Sequence, residues 1–136
     1  MSRGLRPAVA LLLSLLAMPL CACSGGDGSP VALEVTVQDW TGWSREQPEP
    51  VTRSVELRAG ESLDVTMLGD EVTITVEEVD GDEVELVTSE DLAPRLPDGG
   101  ANHVDLRSEF SVERGGSVAF TTPSLDAGTT VTVAAD

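Results

Sequence analysis

Lysine and tyrosine are absent from this 136-residue chain, histidine occurs once, and Cys, Trp and Phe occur twice each. Each scarcity removes a class of chemistry. A single histidine, His103, cannot supply the ligand count of a His/Cys transition-metal site, and the blue-copper set fails for the same reason. A Ser-His-Asp arrangement would have to run through His103, and no serine stands in a Gly-x-Ser-x-Gly elbow. His103, between Asn102 and Val104, falls on the polar phase of a strand pattern and reads as solvent-facing. Basic residues number 8, all Arg, against 24 acidic ones. A surface of that sign repels phosphate backbones, so nucleic acid is not an expected partner. Long apolar runs are also missing. Ala8 to Ala17 is broken only by Ser14, and it is well short of the roughly 20 apolar residues that span a bilayer.

That short run has a different meaning at the start of a chain. Arg3 and Arg6 precede it and Leu20-Cys21-Ala22-Cys23 follows, opening onto Ser24-Gly25-Gly26. The order of basic, apolar and small residues is that of a secretory signal. The Leu20-to-Cys23 segment resembles the lipobox of bacterial lipoproteins. Leu20 matches its first position, Ala22 its small residue and Cys23 its modified cysteine, while Cys21 departs from the usual small or β-branched residue. The resemblance implies a signal peptide over 1–22, cleavage before Cys23, and a diacylglyceryl thioether on that cysteine. Two acyl chains hold a protein on a membrane stably where one is marginal. It also implies a cell-membrane location on the extracytoplasmic face, with Cys23 as the only mature thiol and consumed by lipid. Disulfides and thiol catalysis are then excluded together, and stability must come from packing.

Cleavage there leaves 114 residues, enough for one domain, with 6 Arg against 24 carboxylates and a formal charge of −18. Residues 23–30 are rich in Gly, Ser and Asp and read as a tether. As a flexible coil its seven residues after Cys23 reach roughly 15 Å. From Val31 to Asp136 the apolar period is two. Leu33, Val35 and Val37 alternate with Glu34 and Thr36, and Leu63, Val65 and Met67 with Asp64 and Thr66. Val72, Ile74 and Val76, then Val104, Leu106, Phe110 and Val112, then Val131 and Val133 continue the pattern. No window carries a helical apolar stripe. The expectation is an all-β antiparallel β-sandwich, immunoglobulin-like, of seven or eight strands with one wet face each.

Two hairpin registers are expected. A three-residue loop Val79-Asp80-Gly81 pairs Val76 with Val84 and Ile74 with Leu86, keeping one dry face. The same reasoning at Arg114-Gly115-Gly116 pairs Val112 with Val118 and Phe110 with Phe120, placing both rings in the core. The first register sets Glu77 opposite Glu83 and Glu78 opposite Asp82. Like charges facing each other are unfavourable, and calcium, which takes 6–8 oxygens, would relieve them. Those four carboxylates are the candidate cation site; no other cofactor is expected.

The two stretches without regular period, Gln38 to Pro50 and Ser89 to His103, are the expected contact surface, because long loops in small domains are often functional. Trp40 and Trp43 in the first are the partner-binding candidates, suited to an envelope protein or a carbohydrate ring when exposed. Strand–Gly–strand units such as Leu57 to Val65 are similar to those of chagasin-like cysteine-protease inhibitors. That family's Asn-Pro-Thr-Thr-Gly loop and Arg-Pro-Trp motif are absent. The reading is therefore a lipid-anchored, non-catalytic binding module, with a secreted protease inhibitor and a calcium-dependent adhesion module as alternatives.

Overall fold

The computed structural model describes residues 28–136. Cys21, Cys23 and the whole signal-like segment lie outside the described residues. Eight strands follow one another: β1 (Val31–Thr41), β2 (Val51–Leu57), β3 (Ser62–Met67), β4 (Asp70–Asp80), β5 (Glu83–Pro94), β6 (Arg107–Glu113), β7 (Ser117–Thr121) and β8 (Ala127–Ala135). All pairings between them are antiparallel and the described residues contain no helix. The expected all-β, immunoglobulin-like sandwich class holds.

The strand order is β2-β1-β8-β7-β5-β4-β3, with β6 beside β5. The start of β5 pairs with β4 and β6, whereas Ala93 and Pro94 at its end pair with Thr121 and Phe120 of β7. A register shift between Val87 and Leu92 lets this one strand pass from the first layer to the second. The sheet thus curls almost into a barrel, and its two ends, β2 and β3, have no strand partner on their outer edges among the described residues.

The interior is the set of apolar residues in phase on each strand. Val31, Leu33, Val35, Ile74, Val76, Leu86, Phe120, Val131 and Val133 are fully buried, each such side chain contributing about 1.5–3 kcal/mol of transfer free energy. Phe110 and Phe120 stack with ring centroids 4.5 Å apart. The aromatic contact is therefore the expected one, but it is reached by another route. Phe110 pairs with Leu86 on β5 and Phe120 with Val131 on β8. The rings meet across the two layers, and Arg114-Gly115-Gly116 is a corner between layers, not a hairpin turn.

The β4–β5 register also differs from expectation. Val76 pairs with Leu86, Ile74 with Thr88 and Val79 with Val84, with a bulge between Val76 and Glu78. The extra residue reverses the phase of β4, so Val79 is buried as well as Val76. The turn shrinks to Gly81-Asp82, with Gly81 at a φ of 59° in the first position as a type II′ turn requires. The strand expected from Val104 begins only at Arg107, and Val104 is 96% exposed. His103 is exposed, in a loop and not on a strand. Both irregular stretches are shorter than expected, because β1 runs to Thr41 and β5 to Pro94.

Candidate functional site

The chain leaves its N-terminal segment and finishes at the same end of the fold. Arg58 Nε donates to the Gly28 carbonyl at 3.1 Å, and the Asp136 amide donates to the Ala32 carbonyl at 3.1 Å. The opposite, distal end carries the β1–β2 loop, the Leu68-Gly69 turn and the β7–β8 loop. Four of the exposed large apolar residues gather there: Trp43 at 79%, Leu125 at 80%, Val51 at 68% and Leu68 at 52%. The remaining three, Leu96, Val104 and Leu106, belong to the β5–β6 loop.

Local chemistry explains the distal arrangement. Gln47 ties its own loop together: the Thr41 amide donates to its Oε1 at 2.8 Å, and its Nε2 donates to the Thr41 and Ser44 carbonyls at 2.9 and 2.7 Å. The Gly42 amide donates to the Asp126 carbonyl at 2.7 Å, bringing the segment of Trp43 beside that of Leu125. Trp43 is left outside, while Trp40 is half-buried at the groove. Trp40 pairs with Gly128 on β8, and its indole N–H donates to Thr121 Oγ1 at 3.2 Å. A Cβ on Gly128 would stand 2.6 Å from the indole, so the glycine exists to seat the ring.

The inward phase of β1 and β2 opens progressively toward this end. On β1 it runs from fully buried Val31, Leu33 and Val35 through half-buried Val37 to exposed Asp39. On β2 it runs from buried Leu57 through Val55 to exposed Arg53 and Val51. The result is a groove of about 570 Å³ along the seam between β2 and β3, lined by Val37, Val51, Arg53, Asp64, Val65 and Leu68 among others. The Arg53 guanidinium crosses the seam and donates to the Asp64 carbonyl on β3.

Polar groups hold the groove mouth in shape. Thr129 is fully buried; its hydroxyl donates to Asp39 Oδ1 at 2.6 Å and accepts the Leu68 amide at 3.0 Å. That bond joins β8 to the β3–β4 turn, where Leu68 sits at a φ of 51° and Gly69 at 83°. Two consecutive positive φ values make a type I′ turn, whose first position suits Asn or Gly far better than Leu. Leu68, Arg53 and Thr129 were not candidates from sequence. The signal for the turn was there: Val65 and Val72 are equidistant from Leu68-Gly69 and pair across it.

The four candidate calcium ligands do not converge. Glu77 is the bulged residue, Glu78 pairs with Glu85 instead of Asp82, and Glu83 pairs with Asp80 and Glu113 instead of Glu77. Among the described residues no group of three or more His, Cys, Asp or Glu is placed to hold a metal ion. The carboxylates form a row across the solvent-facing side of β4, β5 and β6. Within it a hydrogen bond with Glu85, and then repulsion by Glu85, push the Glu83 carboxyl above its ordinary value. The first irregular stretch contributes Asp39 and Trp40 to the seam groove, and the second borders a separate groove with Pro94, Arg95 and Arg107.

The fold and site define a class, an acidic all-β domain with an open seam and an apolar distal end. No family model matches the chain, and neither a curated protein nor a solved structure is similar to it.

Proposed function

We propose that this chain is a lipid-anchored binding module on the extracytoplasmic face of a cell membrane, without catalytic activity of its own. Cys23 carries the lipid and residues 24–30 form the tether. The distal end holds a partner protein of the cell envelope. The observation that carries this reading is the gathering of Trp43, Val51, Leu68 and Leu125, all more than half exposed, at the end away from Gly28. Scattered apolar residues on a surface are ordinary, but four at one end of the fold, with Val51 and Leu68 lining the groove, mark a contact surface. Trp43 is the natural anchor, since tryptophan dominates the energetics of protein interfaces.

Crosslinking and capture from membranes, comparing wild type with the Trp43→Ser/Leu125→Ser double variant, tests this. Partners held by the distal end are lost from the variant, while its melting temperature stays within a few degrees because both side chains face solvent. Recovery of the same partners by both proteins would remove the distal end from consideration. Tryptophan emission gives a second check: Trp43→Phe shifts the spectrum to the blue by leaving only the half-buried Trp40.

A further inference from the structure

We infer that the seam between β2 and β3 is a strand-addition site that takes an extended segment of a partner polypeptide, one with alternating apolar and basic side chains. This rests on the binding-module reading and names how the partner is held.

The backbone makes the first part of the case. Among the described residues β2 pairs only with β1 and β3 only with β4, so each has a free edge there, and the seam groove is lined from both. In the tight Leu68-Gly69 hairpin, Met67 and Asp70 flank the two-residue turn and form a hydrogen-bonded pair, as do Val65 with Val72 and Leu63 with Ile74. Ser62, Asp64 and Thr66 therefore turn their N–H and C=O groups outward. The bond from Arg53 to the Asp64 carbonyl confirms that direction independently. Such an edge is a template for another strand.

Side chains say which strand. The groove floor carries Val37, Val51 and Val65, with Asp39 and Arg53 at its open end, so the inward residues of an added strand meet mainly apolar surface. The outward phase beside it carries Ser54 and Glu56 on β2 and Asp64 and Thr66 on β3. The intervening residues of the added strand thus face acidic and hydroxyl groups. The same charge disfavours a second copy of this chain, since each mature domain carries a formal −18. Arg53 stands on the inward phase of its edge strand, a device that keeps unselected strands out. Its guanidinium occupies the Asp64 carbonyl until an incoming N–H replaces it.

The probe is a capped peptide of four Val-Lys repeats, titrated calorimetrically and followed by amide hydrogen exchange. Binding is expected to protect the Thr66 amide and its neighbours on β2 and β3. Methylating alternate backbone nitrogens of the peptide, which keeps its charge, weakens binding at least tenfold. Thr66→Pro removes a donor that the β3–β4 ladder does not use, on an edge strand where proline is tolerated, and has the same effect. Equal binding of the methylated peptide to wild type, equal binding of a Val-Glu peptide, or no binding at millimolar peptide each overturns the inference. The methylated-peptide comparison decides the matter on wild-type protein even if Thr66→Pro fails to fold. Partner capture that depends on Trp43 and Leu125 but not on Thr66 would sink strand addition and leave the distal binding surface standing.

Discussion

Leu68 is the residue at which this structure departs furthest from what its backbone prefers. A left-handed conformation costs an L-residue with a full side chain about 1–2 kcal/mol, and asparagine far less. Thr129 Oγ1 holds the Leu68 amide in place at 3.0 Å, and half of the leucine remains in solvent at the groove mouth. Leu68→Asn places the preferred Asn-Gly pair in the type I′ turn. It is expected to stabilise the domain by about 1 kcal/mol, a rise in melting temperature of roughly 4–8 °C for a domain of this size. The same change removes an exposed apolar side chain from the contact surface, so partner capture should weaken as stability rises. A melting temperature that stays level or falls would show that the leucine's packing outweighs its strain.

At the scale of elements, the alternation of apolar residues made the strands and the class of fold readable from sequence, because one buried face imposes a period of two. Two things escaped that reasoning, and for physical causes. The bulge at Glu77 changes phase inside β4, so a register that assumes one continuous face aligns Val76 with the wrong partner. The passage of β5 between layers lets β6 and β7 be consecutive without pairing, although Phe110 and Phe120 still meet. Trp40 and Trp43 stood out together because tryptophan is scarce in the chain. Which of the two faces solvent depends on Gly128 seating the Trp40 ring, a contact across strands that no local pattern shows. The seam was not legible, since no local pattern announces which two strands end a curled sheet. The true register also sets the electrostatics of the acidic row, where Glu83 faces Asp80 and Glu113 and shares its own face with Glu85. Its folded-state pKa is raised. Repulsion there weighs on the fold above the raised value and is relieved as pH falls through it toward the ordinary carboxylate range. Glu83→Gln keeps the hydrogen bond to Glu85 and drops the charge. The variant should melt at or above the wild-type temperature at pH 7, with the gap closing at pH 4 and in high salt. A gap that widens in acid would contradict the assignment.

The whole molecule is organised along one axis. Gly28 and Asp136 lie at one end, and the eleven-residue strand β1 climbs to the other, a rise of about 33 Å at the usual advance per residue. On the proposed lipid anchoring, the groove stands clear of the headgroups, and the formal −18 of a chain cleaved before Cys23 opposes contact with an anionic leaflet. That proposal makes anchor and binding end separable parts, and their separation is testable. Among the described residues the core begins at Val31. Cys23→Ser should therefore lose lipid labelling and move to the soluble fraction, while its circular dichroism and melting temperature match those of the wild-type domain. Cys21→Ser should remain labelled and membrane-bound, because the proposed cleavage before Cys23 would discard that residue. Labelling that follows Cys21 instead would move the attachment point and shift the proposed tether. A soluble Cys23→Ser protein that still binds the Val-Lys peptide with wild-type affinity would show that the lipid sets only where the seam is displayed.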